Sequence, residues 1–423
     1  MMNRLFGALF TTRQGRGNMP EVVFAFVVIL SICGTQNLKA QEQPWSERMA
    51  NNTMQHWPQG RFRDAGTSPG WNYQLSVLLE GMETVWKKTG DKAVFQYIQQ
   101  SMDQLVDPDG SIPAYHANGQ STDDILLGRQ LLLLYRVTGE AKYRKAGILI
   151  RKQLTTQPRN ASGGFCHTRG FPTQMLLDDV YMIGPFFAEY ASTFQEPEDF
   201  ADITKQFVLL EDHTRDPKSG LLYQEWNEPR TESWVSKTTG TSASFWGRGT
   251  GWYIMALVDT LPYYPKDNPD RAALLAILNR TADGIIRHQD RKTGLWYQVL
   301  DKPKEKGNYL ESSASGMFIY ALAKGVRLGY LPKRYSANAL RGWNGMLDHF
   351  VQTAPDGGIT ITETVKSIDL GSAPSHDGSF AYYISAPVIS NDPKGIGAFL
   401  LASIEIELSL AISPSRRKSH RFS

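Results

Sequence analysis

The sequence predicts an all-α fold in which six helical hairpins close into a toroid. Three observations lead to this prediction: apolar residues recur with the helical period in several long segments, apolar segments alternate with polar ones, and one glycine loop is repeated along the chain. Strand-like alternation is rare and no strand–helix–strand pattern recurs, so a parallel-sheet fold is disfavoured.

Four segments have the apolar content expected of helices at the centre of the fold. They cover residues 71–90, 124–139, 248–264 and 312–329, and three of them end in glycine, which commonly follows the last turn of a helix. Between them lie more polar helical segments such as 91–106, which suit an outer, solvent-facing layer. This alternation predicts pairs of one inner and one outer helix.

A loop with a central glycine follows the predicted helix pairs. Its five copies are centred on Gly110, Gly164, Gly220, Gly294 and Gly358, at intervals of 54 to 74 residues, which fit two helices and a loop. Hairpins that cannot bury their apolar faces alone must stack on their neighbours. An inner ring of apolar helices wrapped by an outer ring meets this need. An open stack of hairpins is the alternative, but the irregular spacing and long loops disfavour it.

The N-terminus predicts a secretory signal peptide over residues 1–40. Basic residues precede the apolar run 22–34, and Ala40 provides the small residue expected at a cleavage point. The run is too short for a comfortable membrane span. We therefore expect an exported protein, either periplasmic or secreted. Lipid attachment at Cys33 is an alternative that the bulky Ile32 before it disfavours.

The rest of the chain predicts a single domain over residues 41–412, followed by a basic, disordered tail over 413–423. Hydrophobic residues make up 41% of the sequence and charged residues 21%, as in ordinary globular proteins. The leader holds four basic residues and one acidic residue, so the remaining chain carries equal numbers of each. This balance does not favour a nucleic-acid partner. The sequence does not predict an oligomeric state.

Metal and thiol chemistry are not indicated by the sequence. Only Cys166 would remain after loss of the leader, which excludes an intramolecular disulfide and a cysteine zinc site. No HExxH pattern and no histidine pair at metal-binding spacing occur, so we expect no metal and no cofactor. His116 and His167 follow copies of the glycine loop, where a histidine is more often a hydrogen-bonded loop residue than a catalyst.

Two pairs of adjacent carboxylates stand at the start of apolar helical segments. Asp123 and Asp124 open one segment, Asp178 and Asp179 open another, and the 55 residues between the pairs match one repeat. Aspartate is also a common helix cap, which is the structural alternative. Because the two pairs lie one repeat apart, the sequence instead predicts that both pairs face one cavity. Burial and a neighbouring carboxylate raise the pKa of a carboxyl group, which can then act as a general acid near neutral pH.

A glycine-rich stretch, FWGRGTGWY, leads into the next apolar helix. It lacks the preceding strand and the lysine of a phosphate-binding loop. Arg248 can pair with a carboxylate, and Trp246 or Trp252 offers a face on which a sugar can stack. The alternative is a glycine turn that packs tightly on its neighbours.

Five segments, in the same order along the chain, resemble glycoside hydrolase family 105. They are LLDDVYMIGPFFA, FWGRGTGWYIMAL, TGLWYQVLDKP, NYLESSASGMFIYALAKGVRLGYL and NDPKGIGAFLLASIE, and the resemblance runs from about residue 45 to 408. The family includes the unsaturated rhamnogalacturonyl hydrolases, and the related family 88 of unsaturated glucuronyl hydrolases is less similar. The resemblance implies an (α/α)6 barrel and a glycosidase that acts on fragments left by polysaccharide lyases.

The resemblance also implies a reaction and assigns residues to it. An aspartic acid protonates carbon 4 of a 4,5-unsaturated uronic acid, water adds at carbon 5, and the resulting hemiketal opens and releases the next sugar. The catalytic aspartic acid of the family falls on Asp178 and its second active-site aspartate on Asp123, which leaves Asp124 and Asp179 as capping or supporting groups. The residues expected to hold the substrate are Arg248, Trp252, Trp246, Tyr73, Gln224 and His167, with Gln174 and Lys394 as weaker candidates.

Two positions depart from the family pattern. Leu176 stands where many members have tryptophan, and Gln224 where many have histidine. Both positions border the bound sugar in the family, so the leaving sugar can differ from that of rhamnogalacturonan. Fragments of ulvan, in which the unsaturated uronate is joined to sulfated rhamnose, and of glycosaminoglycans are alternatives. Another hydrolase or an epimerase on the same toroid, or a non-catalytic carbohydrate-binding protein, are further alternatives.

Overall fold

The computed structural model describes residues 43–60, 70–116 and 118–411. The predicted signal peptide, the lipid-attachment alternative at Cys33 and the predicted basic tail all lie outside these ranges. None of the helices within them is long and apolar enough to cross a lipid bilayer.

The described part of the chain is mostly helical, with three small two-stranded antiparallel sheets. The helices are α1 (Trp45–His56), α2 (Tyr73–Thr89), α3 (Lys92–Asp103), α4 (Gly128–Thr138), α5 (Ala141–Gln153), α6 (Leu177–Phe194), α7 (Asp199–Thr214), α8 (Gly247–Thr260), α9 (Arg271–Arg287), α10 (Ser312–Arg327), α11 (Ser336–His349), α12 (Phe380–Ser385) and α13 (Pro393–Ala411). The strands pair as β1 (Gln174–Leu176) with β2 (Glu225–Asn227), β3 (Val351–Thr353) with β4 (Ile359–Ile361), and β5 (Thr364–Val365) with β6 (Val388–Ile389).

Six helices form a closed inner ring. In order around the ring they are α2, α4, α6, α8, α10 and α13, and α13 packs back against α2. Each inner helix also contacts one outer helix, and the first outer helix, α1, packs on the last inner one. The prediction of an (α/α)6 barrel is therefore confirmed, and the open stack is excluded because the first and last inner helices, α2 and α13, pack against each other.

The residue patterns explain which helices lie inside. Every residue of α8 is buried, as its apolar, glycine-rich sequence predicts. Outer helix α3 buries only one stripe, Val94, Tyr97, Ile98, Ser101 and Met102, at helical spacing. The inner helices α2 and α4 end before glycines in the left-handed conformation, as the sequence indicates.

Two predicted helix boundaries were wrong. Helix α4 does not start at Asp124, because residues Thr122–Asp124 form a separate 3-10 turn and the α-helix begins at Gly128. Helix α8 ends at Thr260 rather than 264, because Pro262 cannot donate a backbone N–H and the chain tightens into the 3-10 turn Leu261–Tyr263.

A network of buried charges occupies the interior of the ring, towards the C-terminal ends of α2, α8 and α10. Arg129 on α4 stands at its centre. Its Nη1 lies 2.9 Å from Glu80 Oε1 and 3.7 Å from Asp259 Oδ2, and its Nε lies 3.3 Å from Glu189 Oε2. One guanidinium thus joins carboxylates from α2, α6 and α8.

Further groups complete this network. Tyr181 donates a hydrogen bond of 2.6 Å to Glu80, and Tyr320 donates one of 2.7 Å to Asp259. Lys324 pairs with Asp259, and Arg136 pairs with Glu189. Burial nevertheless raises the pKa of Glu80 to about 7, so the attraction of Arg129 does not fully offset the loss of hydration. Five of the six inner helices contribute to the network.

We expect Arg129→Met to destabilise the fold strongly. Three buried carboxylates would lose a shared cation, and removal of one partner from a buried ionic group costs about 3–5 kcal/mol. Urea unfolding would measure the change in the free energy of unfolding. Arg280→Met is the matched control, because Arg280 is half exposed and its partner Glu211 keeps Arg215. Equal effects of the two substitutions would contradict this role for Arg129.

Candidate active site

A cleft of about 930 Å³ opens where several inner helices begin. Tyr73 starts α2, Asp123 lies in the turn before α4, Asp178 lies in the first turn of α6, and Arg248 lies in the first turn of α8. The loop that follows β5 closes one side with Ser367, Ile368, Asp369, Leu370 and Ser372. Helix N-termini carry unpaired N–H groups and a positive end of the helix dipole, so this mouth favours anionic and polar groups.

Asp178 faces the cleft and accepts a hydrogen bond from the side-chain amide of Gln224. Burial raises the pKa of Asp178 to about 7 against the lowering effect of this bond, and the nearby carboxylates of Asp179 and Asp123 raise it further. Burial also raises the pKa of Asp123, which lines the same cleft. The structure thus brings the first pair's Asp123 and the second pair's Asp178 into one cavity.

Gln224 approaches Asp178 only because Gly249 lies beside it. A Cβ atom at Gly249 would stand 1.6 Å from Gln224 Oε1, so no side chain can occupy this position while Gln224 stays in place. Gln224 itself precedes β2, and its backbone carbonyl accepts a 3.0 Å hydrogen bond from the N–H of Leu177. Both its backbone and its side chain are therefore fixed against the start of α6.

Asp179 supports the site without lining the cleft. Its Oδ2 accepts a 2.8 Å hydrogen bond from the N–H of Leu176 and so caps α6. Its Oδ1 accepts a 2.7 Å bond from the hydroxyl of Thr122 and lies 2.8 Å from Nδ1 of His167. One buried carboxylate therefore joins the turn that carries Asp123 to the helix that carries Asp178. Asp124 is the last residue of this turn and is half buried, and burial raises its pKa to about 7.

His167 lines the cleft as a charged imidazolium. Burial alone would lower its pKa, but the charge and hydrogen bond of Asp179, with smaller effects of Asp123 and Glu225, raise the pKa to about 10. Its backbone is fixed as well, because its carbonyl accepts a 3.0 Å bond from the N–H of Thr122. The cleft thus contains a fixed positive charge among carboxylates. His116, the other loop histidine, does not line the cleft.

Arg248 lines the cleft, but protein groups occupy most of its donors. Its Nε donates a 2.8 Å hydrogen bond to Ser313, and its Nη2 bonds the carbonyl of Val365 and lies 3.4 Å from Glu311. Its Nη1 makes one long bond of 3.4 Å to the carbonyl of Lys366. Its guanidinium is therefore not free to form a bidentate ion pair with a substrate carboxylate, and Nη1 is its most available nitrogen.

Aromatic side chains form the inner wall of the cleft. Trp252 stacks on Tyr181 with ring centroids 4.9 Å apart, and Tyr73 meets it edge-on at 6.3 Å. Trp246 also lines the cleft, and its Nε1 donates a 3.2 Å bond to Gln298. Since Tyr181 covers one face of Trp252, a sugar can reach only the remaining face or edge.

Gln174, a weaker candidate from the sequence, and Leu176 line the cleft. The sequence did not assign two further contributors, Glu225 and the loop 367–372. Lys394 is fully buried and pairs with Asp392 at 2.8 Å instead of lining the cleft. Glu225 was not identified from the sequence because it lies in a copy of the glycine loop, which resembles an ordinary connection between helices. Only the pairing of its strand with β1 in the structure shows that Glu225 faces the cleft.

Comparisons with known proteins identify the family. The family model described as Glycosyl Hydrolase Family 88 matches residues 45–410. A solved glycoside hydrolase from family 105 of C. acetobutylicum ATCC 824 is 41% identical and superposes with a TM-score of 0.83, and the match covers 86% of this chain and 100% of that one.

Two curated relatives are also similar. Protein Atu3128 of Agrobacterium fabrum is 37% identical over 227 residues, which are 52% of this chain and 96% of that protein. The unsaturated rhamnogalacturonyl hydrolase YesR of Bacillus subtilis is 27% identical over 264 residues, which are 61% of this chain and 72% of YesR.

We expect Asp179→Asn to lower the pKa of His167 towards its ordinary value of about 6.5, because the largest opposing charge is removed and only the smaller effects of Asp123 and Glu225 then oppose burial. In the wild type, the His167–Asp179 pair stabilises the fold fully below pH 6.5, and this stabilisation is lost as the pH rises through about 10. Imidazole NMR signals, assigned with His167→Gln, would measure both pKa values. Thr122→Val is the control, since it keeps the charge of Asp179. Titration of wild-type His167 below pH 7 would refute this assignment.

Proposed function

Because the chain belongs to glycosyl hydrolase family 88 and its relative family 105, and is therefore a glycosidase, we propose that it removes a 4,5-unsaturated uronic acid from the non-reducing end of lyase-generated oligosaccharides. The most suitable substrate class is an unsaturated rhamnogalacturonyl oligosaccharide, as the name of its relative YesR suggests. The leader sequence supports the further proposal that the enzyme acts in the periplasm or after secretion.

One observation supports this reaction most directly: Asp178 is a cleft-facing carboxyl with a pKa raised to about 7. A general acid works best when its pKa lies near the working pH, because it is then protonated and still donates its proton readily. Asp178 meets both conditions at neutral pH. The amide of Gln224 bonds one carboxyl oxygen, so the acidic proton belongs on the other oxygen.

The proposed reaction begins with proton transfer to an alkene. The O–H bond of Asp178 breaks as the π electrons of the C4–C5 double bond form a new C4–H bond, and the ring oxygen shares the positive charge left at C5. The Asp178 carboxylate then takes a proton from water as the water oxygen bonds to C5. The hemiketal opens by breaking the bond between C5 and the ring oxygen, and the hemiacetal left at C1 releases the next sugar.

Other side chains have supporting roles in this proposal. Asp123 raises the pKa of Asp178 and can orient the attacking water. His167 carries a positive charge into the cleft and, with Nη1 of Arg248, attracts the uronate carboxylate. Trp252 and Tyr73 provide the apolar surface against which the flat unsaturated ring packs.

We expect Asp178→Asn to reduce turnover by roughly 10²–10⁴-fold, the usual contribution of a general acid, because an amide cannot donate the proton. The ultraviolet band of the conjugated double bond disappears on hydration and so measures turnover. Asp124→Asn is the matched control: it removes a neighbouring carboxyl that does not line the cleft, and it should retain most of the turnover. Near-wild-type turnover in Asp178→Asn would refute this role. An intact ultraviolet band with every lyase product tested would refute the proposed activity.

The pH dependence of kcat/KM tests whether Gln224 lowers the pKa of Asp178. We expect kcat/KM to fall as the pH rises above about 7, where Asp178 loses its proton. The Gln224 bond stabilises the carboxylate and lowers this pKa, so Gln224→Met should move the falling limb to higher pH. A limb that stays in place, or moves to lower pH, would show that Gln224 does not tune Asp178.

A further inference from the structure

Glu225 lines the cleft, and one oxygen of its buried carboxyl has no hydrogen-bond partner in the part of the chain that the structure describes. It is only 1% exposed, and β1–β2 pairing places it opposite Leu176 at the start of α6. Its Oε2 has no hydrogen-bond partner among the described residues. A buried polar atom without a partner is unfavourable, so this oxygen is suited to meet a group of the bound molecule.

The position of Glu225 along the cleft indicates which group it meets. Glu225 lines the cleft together with Asp178, at the reacting end, and Asp369, on the exposed loop after β5. Its strongest electrostatic interaction with another side chain is with His167, and those with Asp178 and Asp369 are weaker. A substrate whose double bond reaches Asp178 must extend past this loop to leave the cleft. Glu225 therefore lies where the sugar next to the unsaturated uronate passes.

The charges along this wall are acidic. Asp369 also lines the cleft, and the hydroxyl of Ser372 donates to it and lowers its pKa. Within the described ranges, only His167 and Arg248 line the cleft as cations, and each already faces a carboxylate, Asp179 and Glu311 respectively. Since the proposed reaction already uses His167 and Nη1 of Arg248 to hold the uronate carboxylate, a second anion on the substrate would find no further cation among the described residues that line the cleft.

We propose that Glu225, with Asp369, selects an oligosaccharide whose sugar next to the unsaturated uronate carries a free hydroxyl rather than a sulfate ester. The inference rests on the proposed function and specifies its substrate class. A carboxylate accepts a hydrogen bond from a hydroxyl, and a carboxylic acid can donate one to it, so Glu225 recognises a hydroxyl in either form. A sulfate ester cannot donate and brings a negative charge beside acidic groups, which opposes binding.

Two substrates that differ only in one sulfate test this proposal. An unsaturated glucuronyl–rhamnose disaccharide would be compared with its rhamnose-sulfated form by loss of ultraviolet absorbance. We expect wild-type kcat/KM to favour the unsulfated form by at least about tenfold, because like-charge contacts strongly suppress wrong partners. Glu225→Gln should lower this preference by about tenfold, chiefly through a lower KM for the sulfated form, since its amide can donate to sulfate oxygens.

Glu232→Gln is the matched control, because it removes a carboxylate that lies in the loop after β2 and does not line the cleft, and it should keep the wild-type preference. A ratio of two substrates measured on one preparation is independent of the folded fraction, so partial misfolding does not affect it. Equal wild-type efficiencies, a preference for the sulfated form, or an unchanged ratio in Glu225→Gln would overturn the inference alone. Failure of the wild type to consume any unsaturated uronyl substrate would instead overturn the proposed function.

Discussion

The contact between α13 and α2 closes the inner ring, and the position of the site depends on that closure. Tyr73, Asp123, Asp178, Arg248 and the loop 367–372 are far apart in the sequence. They meet because closure brings the starts of the inner helices to one mouth. The 3-10 turn before α4 carries Asp123, and the first turn of α6, which Asp179 caps, carries Asp178.

The balance of acidic and basic side chains differs between the two ends of the ring. At the end opposite the cleft, Arg129, Arg136 and Lys324 pair with Glu80, Glu189 and Asp259, so each of these carboxylates has a cationic partner. At the cleft, carboxylates outnumber cations, and the pKa of Asp178 and of Asp123 is raised. Stacking of Tyr181 on Trp252 and its hydrogen bond to Glu80 connect the two regions. Of these two regions, the one with the excess of carboxylates is thus the proposed substrate-binding cleft.

The sequence predicted the fold well because burial on every side leaves a strong apolar pattern in each inner helix. It also predicted that Asp123 and Asp178 share a cavity, since residues one repeat apart occupy equivalent places in the ring. It did not predict the 3-10 turn at Asp123, which depends on contacts of Thr122 with Asp179 and His167. Nor could it show that Glu311 and Ser313, more than 60 positions away, occupy the donors of Arg248.

The close approach of Gln224 to Gly249 links these two positions in any redesign or natural divergence of the enzyme. Because a Cβ at 249 would overlap the amide, even alanine there requires a smaller or differently placed side chain at 224. Replacement of Gly249 alone therefore creates a steric clash with Gln224, and replacement of Gln224 alone can remove its hydrogen bond to Asp178. A side chain at position 249 is therefore accessible only together with a change in the conformation or identity of the side chain at position 224.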